Sequence, residues 1–398
     1  MKIALTIAIL LIALVVYLRL DFVAGLTRLR KQRQPDIQEI RHTRTFLLAT
    51  GEDFFETLFA DIKASHHHVH MMFYIFKEDH IGTRLIELLE KRANEGIDVK
   101  LLVDWVGCKL SRKTVKRLQE AGIVFAKSHT PTFPTFFFSL NHRNHRKITV
   151  IDGKIGYLGG FNVGDEYLGR DPRFGFWRDF HLRFEGDGVQ DLQGQFFADL
   201  TLAGMNSQPK KRDYPALEKG THPVRFFTTS GTGLESMLLD KLKKAKQSIL
   251  LGSPYYVPGE TVQEALITAS QNGIDVRLLL PQKSDHPLVK EGSMGYIQRL
   301  IESGVSVYHY DQGFYHAKAL VIDQSFGWIS TANIDKRSFH LNSEMTCLLE
   351  DEASVRVVVT RMFHDIEISE KLTAQSLKQR GLYSKAKEQL AGMVSGLL

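Results

Sequence analysis

Hydrophobic positions follow two regimes along this chain. Residues 3–18 (IALTIAILLIALVVYL) are uncharged and almost wholly apolar, with no polar face interrupting the run. As a helix this run rises about 24 Å, near the lower limit for crossing a bilayer core, and predicts one transmembrane segment. Only Lys2 precedes it, whereas Arg19, Arg28, Arg30, Lys31 and Arg33 follow, so the bias of positive charge places the remainder on the cytoplasmic side of a cell membrane. Those basic residues also argue against a cleaved signal peptide.

Beyond residue 40 the apolar runs shorten and alternate with helix-like periodicity. NEGIDVKLLVD (residues 94–104) and QNGIDVRLLLP (residues 271–281) each follow a helical pattern, at residues 85–94 and 262–271, and each reads as a buried strand entered through a turn glycine. Further strands are predicted at residues 71–76, 122–126 and 304–308. Such strand–helix–strand alternation predicts a mixed α/β sheet flanked by helices. The alternation occurs twice. The predicted organisation is an anchor (1–22), a basic juxtamembrane linker (23–40), a first half (41–205), a polar connection (206–222), a second half (223–370) and a helical tail (371–398) that packs on the body.

The duplication is sharpest at residues 145–162 (HRKITVIDGKIGYLGGFN), which recur at 316–333 as HAKALVIDQSFGWISTAN. Both copies read His-x-Lys-x4-Asp-x9-Asn. Side chains alternate along a strand, so His145 and Lys147 share one face, as do His316 and Lys318. Asp152 and Asp323 stand at odd offsets from the histidines, which predicts structural roles, although their place in the signature invites a catalytic one. Asn162 and Asn333 follow turns that return an amide towards the same pocket.

Composition narrows the partner. The net charge of +6 and the pI near 9.1 favour a polyanionic neighbour, and nucleic acid and anionic lipid both qualify. Cys108 and Cys347 have no C-x-x-C spacing, so neither a disulfide framework nor a cysteine metal site is expected. The chain contains no G-x-x-x-x-G-K-[ST] loop for a nucleotide.

Two histidines, two lysines and two asparagines suit displacement at a phosphodiester phosphorus. Fixed cations and amides stabilise charge on the equatorial oxygens, while one imidazole attacks and the other protonates the leaving alkoxide. With the trailing segments GGFNVGDEYLG and FWRDFHLRFEG in the first half and TANIDKRSFHLNSE in the second, these motifs resemble the phospholipase D superfamily, and within it the bacterial cardiolipin synthases. The resemblance runs from about Arg41 to the tail. It implies two pseudo-symmetric phospholipase D-like α/β halves, no metal and no cofactor, and a catalytic set of His145, Lys147, Asp152, His316, Lys318 and Asp323. By the same resemblance Asn162 and Asn333 bind phosphate, Asp179 and Glu344 orient the histidines, and His145 is the nucleophile with His316 as general acid and base. Sequence alone does not order the two. Ser330 departs from the family's usual glycine, a small-for-small change. Many relatives carry two hydrophobic spans where this chain has one, which bears on topology.

The function implied is transfer of a phosphatidyl group from one phosphatidylglycerol to another, with membrane lipids and an anionic bilayer surface as partners and no nucleic acid. Hydrolysis or headgroup exchange at the same site, an anchored nuclease and a catalytically silent lipid-binding scaffold are the alternatives. Several other features are ambiguous. Asn141, Arg143, Arg146, Arg178 and Arg337 are candidate phosphate contacts or merely solvated groups. His66, His67, His68 and His70 are read as polarity at a strand entry rather than as zinc ligands. PTFPTFFF (residues 131–138) is either core or a lipid-facing loop. Tyr255 and Tyr256 either border the pocket or pack beside it.

Overall fold

The computed structural model describes residues 2–32, 34–286 and 289–378. In the first half seven longer strands make up the sheet, β1 (Arg41–Thr50), β2 (His68–Phe73), β3 (Asp98–Asp104), β4 (Val124–Ser128), β5 (Ile148–Ile151), β6 (Ile155–Gly159) and β7 (Phe176–Gly186), beside short two-residue strands. The second half repeats them as β8 (His222–Ser230), β9 (Ser248–Gly252), β10 (Asp275–Pro281), β11 (Ser306–Tyr310), β12 (Ala319–Ile322), β13 (Phe326–Ser330) and β14 (Ser343–Leu349).

Pairing gives the order β4–β3–β2–β5–β6–β7–β1 in one half, with only β2, β3 and β4 parallel. The other half runs β11–β10–β9–β12–β13–β14–β8 with the same directions. The parallel strands read as continuous apolar runs because helices cover both faces. Gly96 and Gly273 enter β3 and β10 at φ of 90° and 86°, the left-handed conformation that glycine adopts without steric cost.

The halves are not separate bodies. β1 and β8 pair antiparallel through Thr43 and His222, which joins both sets of strands into one sheet. One hydrophobic cluster draws Leu102, Val150 and Phe180 from the first half together with Leu250, Val321 and Cys347 from the second. Two further clusters are each confined largely to one half. The connection at 206–222 is pinned to the first half, where Lys210 Nζ lies 2.7 Å from Asp98 and Asp213 is buried.

Three expectations change. The N-terminal helix runs Lys2–Gln32, so much of residues 23–40 is helix rather than linker. Leu29 and Phe138 pack together with Phe22 and Leu26, and the Asp21 carboxylate accepts the backbone N–H groups of Phe137 (3.3 Å) and Phe138 (2.9 Å). His68 and His70 are not entry polarity: both are fully buried in β2. They join a chain in which Asp213 faces His68, Gln193 bridges His68 and His70, and Lys100 Nζ lies 3.2 Å from His70 Nε2. His68, His70 and Asp213 present ligand atoms within 4.8 Å of one another, but the Lys100 ammonium at the edge of that group opposes a cation. Of the tail expected to be helical, Glu370–Lys371 instead pair with β11 as a short strand and Ala374–Lys378 form a short helix; residues 379–398 lie outside the described ones.

Candidate active site

Each His-x-Lys segment lies in extended chain just before its strand, where it crosses from the opposite half. Asn144 bridges Ser343 of β14, and the His145 N–H donates 2.9 Å to the Ser343 carbonyl. In the second copy the strand Gly313–Tyr315 pairs with β7, and the His316 N–H donates 2.7 Å to the Arg178 carbonyl. Each histidine is therefore docked on the partner half's strand before its chain enters its own half.

That crossing places a carboxylate from the opposite half against each ring. His145 Nδ1 lies 3.0 Å from both Glu344 oxygens, and His316 Nδ1 meets Asp179 Oδ2. The contact fixes each ring's orientation and leaves its Nε2 for a substrate. His145, His316, Asn162 and Asn333 together line one cavity of about 520 Å³ at the junction of the halves.

The lysines are buried behind the rings, outside the cavity wall. Lys147 Nζ donates 2.7 Å to the His145 carbonyl and faces the Tyr74 ring at 5.6 Å, while Lys318 Nζ is 3.6 Å from Asp179. They supply field rather than a direct grip on a ligand. Asn162 Oδ1 accepts the Ile75 N–H at 3.0 Å and its Nδ2 donates to the Tyr167 hydroxyl at 3.2 Å, whereas Asn333 Nδ2 donates to Asp335 at 3.2 Å.

Burial dominates the titration. It pushes His145 and His316 down to about 4 despite their carboxylates, with the adjacent lysines contributing in the same direction. Desolvation and the like charge of the lysines together exceed the attraction of the carboxylates. Burial likewise lowers Lys147 to about 7 and Lys318 to about 8. Burial opposes ionisation of Asp179 and Glu344, yet both stay below the usual carboxylate range, Asp179 through Lys318 and His316, and Glu344 through His145 and Lys147.

The two carboxylates are accommodated differently. A Cβ on Gly160 would stand 2.0 Å from Asp179 Oδ1, so glycine is required there. At the matching offset Thr331 donates its hydroxyl to Glu344 at 2.5 Å. Sequence reasoning did not single out Thr331, although its repeat offset, matching that of Gly160, carried the signal.

Asp152 and Asp323 are not brought to the cavity. Each adopts positive φ, 54° and 52°, in a tight turn after its strand. Asp152 accepts the N–H groups of His66 and His67 at 2.7 Å and of His68 at 2.9 Å, and Asp323 those of Lys246, Gln247 and Ser248 at 2.7–2.8 Å. Their inclusion in the catalytic set is corrected: they fix the loops entering β2 and β9.

Of the candidate cations, Arg146 is committed to Asp199 at 2.8 Å and to the Thr229 carbonyl at 2.7 Å, and Arg178 to Asp365 at 3.1 Å. Arg143 and Arg337 line the cavity, Arg143 also pairing with Asp104 at 3.1 Å. Asn141 is not in the wall; its amide caps the Phe137 carbonyl. Tyr255 lines the cavity and donates to Asp285 at 2.7 Å, whereas Tyr256 packs in the core. Sequence reasoning missed Tyr74 and Trp177, whose rings lie 4.9 Å from His145 and His316. Tyr74 follows β2 as Tyr255 follows β9, so the repeat could have identified it.

Comparison with known proteins agrees with this geometry. The family described as "Cardiolipin synthase, PLD-like domain" matches residues 58–171 and 238–366. The minor cardiolipin synthase ClsB of Bacillus subtilis is 39% identical over 399 residues, covering 100% of both chains. Cardiolipin synthase 2 of Staphylococcus epidermidis is 38% identical over 357 residues, 87% of this chain and 73% of that one. Among solved structures, phosphatidylserine synthase of Haemophilus influenzae superposes with a TM-score of 0.72 at 14% identity, covering 94% of this chain and 100% of that one, and shows the same fold.

Proposed function

The chain belongs to the cardiolipin synthases of the phospholipase D superfamily, and we propose that it transfers a phosphatidyl group between two phosphatidylglycerol molecules at the inner face of the membrane, releasing glycerol. The observation that carries this reading is the reciprocal pairing of each cavity histidine with a carboxylate from the opposite half.

His145 Nε2 attacks the phosphorus, the bond to the glycerol headgroup oxygen breaks, and His316 gives that alkoxide its proton. The neutral His316 then takes a proton from a hydroxyl of a second phosphatidylglycerol, whose oxygen displaces His145 and closes the new phosphodiester. One phosphodiester replaces another, so no nucleotide is consumed.

Charge explains how one ring becomes protonated. Two lysines, Lys147 and Lys318, face two carboxylates, Asp179 and Glu344, behind the rings, and burial keeps both imidazoles neutral at pH 7. A bound phosphodiester adds one negative charge beside the rings, and protonating one ring offsets it, so substrate entry itself raises an imidazole pKa.

The apolar helix Lys2–Gln32 supports membrane anchoring, and the basic residues after its span support a cytoplasmic catalytic part. Mass spectrometry of lipids formed from pure phosphatidylglycerol tests the reading. Membranes carrying the wild type should yield cardiolipin and those carrying His145→Ala none; equal amounts from both would overturn the assignment.

A further inference from the structure

A second cavity, of about 460 Å³, opens between the N-terminal helix and the body. None of its lining residues lines the catalytic cavity. Arg28 from the helix and Lys127 from the end of β4 stand in its wall, both exposed, and no carboxylate lines it. Among the described residues no carboxylate forms an ion pair with either cation. Thr132 and Thr135 add hydroxyls, and Leu29 and Phe138 form an apolar side. Two unneutralised cations beside hydroxyls and an apolar wall match a phosphate ester that carries hydrocarbon.

The location identifies where such a ligand comes from. The short helix Phe136–Asn141 starts at Asp21, continues past Gly25, against which Phe138 is packed, and ends at the cavity shared by Arg28 and His142. Its chain thus descends from the end of the apolar span towards the body, which leaves the preceding residues on the membrane side. There Phe133 is 81% exposed and Phe136 42% exposed, their rings stacked at 5.3 Å. Exposed stacked aromatics at the end of a membrane span belong at the acyl boundary.

We propose that this groove binds an anionic glycerophospholipid from the surrounding leaflet, with its phosphate on Arg28 and Lys127 and its chains passing Phe133 and Phe136. The site is distinct from the catalytic cavity and rests on the membrane-anchored reading above. It touches catalysis at one point. Ser343 lines the groove, its hydroxyl 3.3 Å from His129 Nε2, and its carbonyl holds the His145 N–H beside Glu344.

The test uses the full chain carrying His145→Ala, which prevents turnover, in phosphatidylcholine nanodiscs with photoactivatable phosphatidylglycerol or photoactivatable phosphatidylcholine. Phosphatidylglycerol should label residues 21–32 and 130–142 at least about fivefold more than phosphatidylcholine. Adding Arg28→Gln and Lys127→Gln should bring the two lipids level. Equal labelling by both lipids, or a preference unchanged in the doubly substituted protein, overturns the proposal. Suppression of that labelling by millimolar inorganic phosphate also overturns it, because the ligand would then be a free anion. Cardiolipin formation is scored separately on the chain without substitutions, so failure of the groove and failure of the proposed reaction are distinguishable.

Discussion

At the scale of single residues, the carboxylate–imidazole pairs are the functional unit. Asp179→Asn and Glu344→Gln keep the shape of each contact but withdraw the charge that orients an imidazole and stabilises its protonated form. Each should lower kcat by roughly 100- to 10,000-fold with little change in melting temperature, measured by steady-state kinetics beside calorimetry. The lysines set the alkaline limit. With Lys147 at about 7 and Lys318 at about 8, their positive charge is lost as pH rises through that range. The kcat/KM for phosphatidylglycerol should therefore fall above about pH 8, and a profile flat to pH 10 would remove the lysines from transition-state stabilisation. The histidines, lysines and asparagines were legible in the sequence because the motif occurs twice. Which carboxylate serves which ring was not derivable from spacing. His145 meets Glu344 and His316 meets Asp179 only because each segment crosses to the other half.

At the scale of elements, strand parity carried more information than the signature. An odd offset from the histidine placed Asp152 and Asp323 away from the pocket, and each holds three backbone N–H groups of a neighbouring loop. Asp152→Ala should cost about 3 kcal/mol of stability through the unpaired amides, while the folded fraction keeps a near wild-type kcat. A kcat loss matching that of Glu344→Gln in fully folded protein would return Asp152 to the chemistry. Periodicity was read less well in residues 23–32, where basic residues suggested a linker. Buried Asp21, Gly25 and Leu29 recur every four positions, the spacing of a docked helix face. The His68–His70 pair was misjudged because a polar residue in a buried strand is legible only with its partners, here Gln193 and Lys100, in place.

At the scale of the whole molecule, joining two halves into one sheet makes the site inseparable from the fold. Each half contributes a histidine, a lysine, an asparagine and the carboxylate needed by the other, so neither half contains a complete pair. The same burial makes the protein sensitive to acid. His145, His309 and His316 lie at about 4 and His181 at about 3, below the unfolded value near 6.5. The unfolded chain takes up these protons first, so this contribution to stability is complete above pH 6.5 and is lost as pH falls from 6.5 towards 4. Thermal unfolding followed from pH 8 to pH 4 should show the melting temperature dropping mainly below pH 6.5, and an unchanged value at pH 4.5 would contradict the burial of these rings. Removing residues 2–20 should detach the protein from vesicles while Asp21 still caps the Phe136–Asn141 helix. Turnover of phosphatidylglycerol in detergent micelles should then persist, as a micelle assay beside vesicle flotation would show.

A covalent relay between the two histidines leaves a phosphatidylated His145 that can be trapped. Incubated with phosphatidylglycerol, quenched and digested, His316→Ala should carry a phosphatidyl group on the peptide containing His145, because the leaving alkoxide can still depart slowly while transfer to the acceptor lacks its base. Steady cardiolipin formation by His316→Ala with no adduct on His145 would rule out the relay.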